Sequence, residues 1–488
     1  MTTSAPMSAP FDLANGIAVL ERTPATFRAL LDAEWEYAME QSPTWASTLG
    51  DRRWNDRWPD VSAAALERRA EHNRELLTKL KQIDRAKLPP TEHLNYDLFA
   101  YEANLAVEEY AQRLWTLPVN QRDGVQLSNE LGDALRFETV KDYDDWIARL
   151  RGVPAMLAQT IELLRLGIAE KRTHAKIVVR SVPGQIAKQV VEKPEESPFF
   201  KPFTSFATDI PPAERERLTA AAREAISQHV VPAFRRFGEF FDKEYLPACT
   251  EEVGAWQWPN GDKAYDFVAR MFTTTKLTPK EIHEIGVREV ARITAEMQRV
   301  MDQVGWKGTR QEFFAHLRSE PKFYYKTAPE LLGGYRAVAK RIDPALVKVF
   351  GTLPRIPYGV EPIPENSAPN NTAAYYRPLA ADGSRAGTFF ANLYRPEMRP
   401  KYEMMALALH EAVPGHHFQF AIAYEQGELP KFRRYGGNYT AYIEGWALYA
   451  ESLGDELGLY DDPYSKLVSS LTRSGVRAGS SWTPAFTR

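Results

Sequence analysis

Apolar positions recur at helical spacing through most of this chain, and only short stretches break the pattern. From Phe27 to Ala111 charged residues are interspersed with Leu, Ala and Tyr at a period that predicts helices, with an amphipathic repeat over Leu66 to Leu80. Further on, Thr278-Pro279-Lys280-Glu281 forms a capping box with proline at the first helical position, followed by Ile282, Val290, Ile293, Met297 and Val300. That run predicts a long core helix. His283-Glu284 within it has no second histidine at a useful spacing and reads as a solvated helix face. Three segments interrupt the pattern: the turn-rich Leu117 to Gly132, Pro194 to Pro212 with five prolines, and Leu353 to Pro369 with five more. Gly387 to Tyr394 alternates and favours aromatic residues, which predicts one short strand. The expected fold is therefore mainly α, large and two-lobed, with residues 1–200 as an N-terminal helical lobe and 201–488 as a second lobe.

Composition narrows the function classes. The 488 residues are 44% hydrophobic and 12% aromatic, ample for a large core. Lys+Arg of 61 against Asp+Glu of 64 gives a net charge of −3, so no bulk field draws the protein to nucleic acid or an anionic membrane. Cys249 is the single cysteine, which excludes an intramolecular disulfide and a cysteine metal cage. Met1 to Pro10 has no basic residue and no apolar run of signal-peptide length, and no segment reaches 18 consecutive apolar residues. As written, the chain is expected in the cytoplasm without membrane insertion; a start codon placed upstream would make it periplasmic or secreted.

The chemistry concentrates in Leu409-His410-Glu411-Ala412-Val413-Pro414-Gly415-His416-His417, which holds three of the nine histidines. In an H-E-x-x-H helix two imidazoles lie one turn apart and the glutamate between them handles water. Here Pro414 takes the place of the second histidine and must kink or open the helix, because its ring lacks an N–H and crowds the carbonyl of His410. A locally widened turn would bring His416 over His410; His417 is the alternative ligand on an unbroken helix. A catalytic zinc requires three protein ligands and one open position, so a third ligand is needed. Tyr439 to Glu451 reads as a second helix with Glu444 and Glu451 seven residues apart on one face. Glu444 is the expected third ligand, and Glu451 is expected to orient a ligand imidazole.

These residues resemble the bacterial domain of unknown function 885 family, placed among the zincin-like metallopeptidases. H-E-x-x-P-G-H stands at His410 to His416, E-G-W-A-L-Y-x-E at Glu444 to Glu451, D-G-S-R-x-G…N at Asp382 to Asn392, and L-T-P-x-E-I-H at Leu277 to His283. The resemblance implies a helical zincin-like fold with a short β element beside the metal-site helix. It also implies one zinc ion per chain held by His410, His416 and Glu444, with Glu411 as general base. The expected substrate is a peptide or small amide. The strand ending at Asn392, with Gly387, looks like the edge that pairs with a substrate backbone in related enzymes. Tyr439 and Tyr442 are candidates for stabilising an oxyanion.

The family pattern continues beyond Glu451, whereas Leu467 to Arg488 has little apolar periodicity. Permitted codons for that tail, read from their third base, yield a sequence resembling the family's continuation. The expectation is a frameshift near Lys466, with the rest of the family domain missing after about residue 466. A catalytically impaired, metal-binding or non-catalytic remnant is then the competing reading. Sequencing the coding DNA across Lys466 tests this, and an unambiguous frame with no related frame alongside would sink it.

Overall fold

The computed structural model describes residues 13–365, 367–437 and 439–466. The tail from Leu467, on which the frameshift expectation falls, lies outside the described residues. The fold is mainly α. We label nine principal helices: α1 (Leu13–Gln41), α2 (Ala63–Lys81), α3 (Pro90–Gln112), α4 (Val140–Ala169), α5 (Pro279–Gln303), α6 (Ala328–Ile342), α7 (Lys401–Glu411), α8 (His416–Glu425) and α9 (Thr440–Glu456). No described helix is long and apolar enough to cross a membrane.

Local chemistry accounts for the helix starts. The Thr278 hydroxyl accepts from the Glu281 N–H, and the Glu281 carboxylate accepts from the Thr278 N–H at 2.8 Å, so the capping box opens α5 as its sequence predicts. The core expectation for α5 holds only in its second half. Ile293, Val300 and Met301 are buried, while Val290 is 56% exposed. His283 and Glu284 are exposed, as the helix-face reading required.

The three largest of five apolar cores among the described residues organise the molecule. The first gathers α4 with the chain from Val119 to Cys249, around the fully buried Trp146, Phe199 and Phe234. The proline-rich segment after Pro194 contributes Phe199, Phe200 and Phe203 to it, so this core runs through residue 200 without a break in packing. Arg149 on α4 clasps the N-terminal turns by donating to the carbonyls of Arg57 and Trp54 and to the Ser47 hydroxyl. A second core joins α1, α2 and α3 to α8 through Phe27, Leu76, Phe99, Ala421 and Tyr424. The third packs α6, α7 and α9 against a small sheet through Tyr335, Phe389, Leu409 and Leu453.

That sheet has three strands, β1 (Tyr358–Pro362), β2 (Ala374–Arg377) and β3 (Gly387–Ala391), in the order β1-β3-β2. The single strand expected from alternation is β3, and it is the middle one. It pairs parallel to β1, Val360 opposite Phe389, and antiparallel to β2, Tyr376 opposite Phe389. All five of its residues are buried, so its aromatic run reflects burial on both faces. β1 went unread because its five residues sit within a proline-rich stretch that suppresses any strand pattern.

Helices α7 and α9 approach closely at Gly454, where an added Cβ would come within 2.8 Å of Leu409 Cδ1 and also fall on the Tyr460 ring. Gly454→Val is expected to destabilise the protein by about 1–3 kcal/mol through overpacking, read as a lower urea midpoint.

Candidate metal centre

The centre is built at one chain break. Helix α7 runs as a good helix former through His410 and Glu411 and ends at Ala412, whose φ of −102° and ψ of −110° leave the helical region. After the Val413–Pro414 turn, α8 begins at His416. The His417 N–H bonds the Ala412 carbonyl at 3.0 Å, a five-residue span wider than the α-helical one. The chain thus forms two helices joined by one widened turn. Gly415 is required there, since a Cβ would fall on the carbonyl oxygens of Leu409 and His410. Helix α9 pins the turn from outside: the Trp446 indole N–H donates to the Pro414 carbonyl at 2.8 Å.

This geometry places His416, not His417, over His410. The two imidazoles are 4.7 Å apart by ring centroid and nearly perpendicular, at 84°. Glu444 reaches both, with an oxygen 3.3 Å from His410 Nε2 and the other 3.9 Å from His416 Nε2. Ligand atoms of His410, His416 and Glu444 lie within 4.8 Å of one another. His417 turns away: its Nε2 is 3.0 Å from the Ile356 carbonyl and its Nδ1 is 3.0 Å from the Tyr376 hydroxyl. Both its nitrogens are committed, and burial pushes its pKa down to about 4.

Glu451, fully buried on α9, accepts from His410 Nδ1 at 2.8 Å. That contact fixes the ring and directs Nε2 toward Glu444 and His416, the arrangement in which a carboxylate orients a ligand histidine. Burial alone would lower the His410 pKa, but hydrogen bonds to Glu444 and Glu451 outweigh it and push it up to about 10. Burial, with His410 alongside, drives His416 down to about 3. Glu444 is held below its ordinary value: burial opposes ionisation, and the His410 hydrogen bond overcomes it. The two carboxyl groups thus favour positive charge at His410.

The donor atoms that converge are His410 Nε2, His416 Nε2 and the Glu444 carboxylate. His416 Nδ1 and Glu451 Oε2 are buried without a hydrogen-bond partner among the described residues. Two imidazole nitrogens and a carboxylate form a donor set suited to zinc, and these residues fit it. Glu411, buried beside them, lines the same cavity of about 560 Å³ together with His410, His416 and Glu444.

Other sequence candidates fall elsewhere. Tyr439 donates to Glu102 on α3 at 2.7 Å, and Tyr442 is 66% exposed; neither lines the cavity, because the first turn of α9 points them to its other sides. The tyrosines that line the cavity are Tyr375 and Tyr376 on β2, the Tyr376 hydroxyl being committed to His417 Nδ1 at 3.0 Å. Gly387 lies under the Tyr376 hydroxyl, and a Cβ there would sit 2.8 Å from His417 Nδ1, so its role is close packing. Asn392 is fully buried and spent on structure, donating to the carbonyls of Ala368 at 2.8 Å and Thr372 at 2.9 Å. Strand β3 is flanked on both sides and offers no edge; the strand beside the cavity is β2, which has no strand on its far side among the described residues. Sequence reasoning missed β2 because four residues carry too little alternation to register.

The family profile of a bacterial protein of unknown function, DUF885, matches residues 43–477. The chain belongs to the DUF885 family. Among solved structures it is similar to a provisionally designated lipoprotein of Colwellia psychrerythraea, at 25% identity and a TM-score of 0.84, covering 92% of this chain and 81% of that one. A second similar structure, a provisionally designated lipoprotein of unknown function from Shewanella oneidensis, shares 16% identity with a TM-score of 0.56 over 90% of this chain and 80% of the other. No curated protein matches the chain.

The Tyr439–Glu102 contact yields a pH prediction. Burial pushes Glu102 up to about 7 from 4.5, with the Tyr439 hydrogen bond opposing. The folded protein thus keeps a proton that the unfolded chain releases, so this group's contribution is full below about pH 4.5 and lost as pH rises through about 7. Glu102→Gln is expected to gain stability relative to wild type between pH 5 and pH 8, measured by urea denaturation at both values.

Proposed function

We propose that this protein is a zinc-dependent hydrolase of peptide or related amide bonds. The observation that carries the reading is the convergence of His410, His416 and Glu444 at one wall of a cavity, with Glu411 buried beside them. Zinc, when bound, supplies a positive charge that polarises a carbonyl and lowers the pKa of water. His410, oriented by Glu451, and His416 and Glu444 would hold it. Glu411 would take a proton from the attacking water and return it to the leaving amine. Strand β2 lies along the cavity with its outer edge unpaired by any described strand, which suits a substrate held by main-chain hydrogen bonds.

The likeness to two proteins designated lipoproteins supports the alternative in which the protein acts outside the cytoplasm.

Elemental analysis of purified wild type and His410→Ala tests the metal: zinc near one per chain in wild type and lost from the variant is the expected result. Glu411→Gln should keep the zinc and lower amide turnover by about 10²–10⁴, read by mass spectrometry of a casein digest. A folded wild type that takes up no metal when zinc is offered would overturn the reading.

A further inference from the structure

A second and larger cavity, of about 1350 Å³, adjoins the one at the metal centre. The two share Arg122, Thr372 and Tyr375 in their walls, so β2 forms a continuous floor from one to the other. The larger space exceeds the roughly 300–1,000 Å³ of a typical small-molecule site, which suits a ligand longer than one residue.

Its floor is specific. On β2, Tyr375 and Arg377 project to the same side and both meet Phe390 of β3. The Tyr375 ring stacks on Phe390 at 4.9 Å and 23°, and the Arg377 guanidinium lies 4.6 Å above the same ring. Most charges around the cavity already have partners: Lys201 with Asp133 at 2.6 Å, Arg395 with Glu397 at 3.0 Å, and Glu361 with Arg336 at 3.3 Å. Glu365 is exposed at the rim, and Glu130 is pushed up by burial, which favours its neutral form.

Arg377 is the exception. Its hydrogen bond goes to the Asp133 carbonyl at 3.3 Å, its Nε is buried with no partner, and no described carboxylate lies within ion-pair distance. Two other arginines show what a structural guanidinium does in this protein. Arg149 donates to three carbonyls and a hydroxyl, and Arg385 donates to the carbonyls of Pro378 and Thr48 at 2.9 Å each. Arg385 is spent on backbone, and Arg149 makes four hydrogen bonds with its Nε and Nη2 while its Nη1 has no partner among the described residues. Arg377 faces a cavity with most of its donors uncommitted, and a half-buried cation is costly to keep without an anion.

We propose that the larger cavity is an extension of the substrate site in which Arg377 pairs with a carboxylate of a bound peptide, beside the Tyr375–Phe390 aromatic floor. The assignment of that peptide as a substrate rests on the hydrolase reading above; the carboxylate site itself does not. Planar guanidinium donors accept a carboxylate through two parallel hydrogen bonds, and aromatic contact beneath fixes the plane. The carboxylate is either the peptide's C-terminus or an acidic side chain.

Calorimetric titration of the full chain carrying Glu411→Gln, which blocks turnover, distinguishes these sources. The probes are N-acetylated pentaalanine as the free acid, the same peptide as its C-terminal amide, and an amidated version with one alanine replaced by glutamate. At least one carboxylate-bearing probe is expected to bind about tenfold tighter than the neutral amide. Arg377→Gln should remove that preference and leave the neutral peptide's affinity unchanged, while Arg377→Lys retains part of it. Equal binding of acid and amide probes, binding of none, or a preference that survives Arg377→Gln would overturn the proposal. The comparison of probes on the parent protein decides this even where Arg377→Gln does not fold. Carboxylate preference without turnover by the zinc-loaded enzyme would fell only the hydrolase reading, and turnover without the preference would fell only this one.

Discussion

Glu451 is fully buried at the contact between α7 and α9, and His410 Nδ1 donates to it at 2.8 Å. A carboxyl group taken fully out of water is tolerated only with a close hydrogen-bonding partner, so this contact ties the register of the two helices. Gly454 lets them approach and Tyr460 donates to the Glu451 carbonyl at 2.7 Å, which closes the same layer from the other side. With that register fixed, Glu444, seven residues earlier on α9, arrives opposite His410 Nε2. Any slip along either helix would move both carboxylates together and dissolve the cluster.

The turn between α7 and α8 is the complementary constraint. Its shape follows from three features acting together: proline at 414, which cannot donate to the helix; glycine at 415, which alone fits against the carbonyls of Leu409 and His410; and the Trp446 indole held on the Pro414 carbonyl. The widened turn sends His416 to the cavity and His417 into the wall. There His417 bridges the Ile356 carbonyl before β1 and the Tyr376 hydroxyl on β2, so the histidine left out of the cluster ties the sheet to the helix that carries it.

Polar groups divide into two uses across the site. Asn392 and Arg385 donate to backbone carbonyls, Arg149 to three carbonyls and a hydroxyl, and His417 bridges a carbonyl and a tyrosine hydroxyl; they hold loops, lobes and sheet in place. His416 Nδ1 and Arg377 Nε are buried without partners among the described residues, and these two side chains line the two adjoining cavities.

The sequence by itself determined the helical class, the capping box of α5, the end of α7 at the His410-Glu411 pair, and the four residues His410, His416, Glu444 and Glu451 that meet at one place. These are legible because periodicity, caps and proline act over a few residues. Choosing His416 over His417 required the widened turn, whose geometry depends on Trp446 from a helix 32 residues along the chain. Placing β3 in the middle of its sheet required strands β1 and β2, both too short or too proline-rich to read alone. The displacement of Tyr439 toward Glu102, the structural use of Asn392 and the uncommitted guanidinium of Arg377 all depend on partners more than twenty residues away or on the lack of one. Such pairings are set by long-range packing, which local pattern does not encode, and only the tertiary structure decided them.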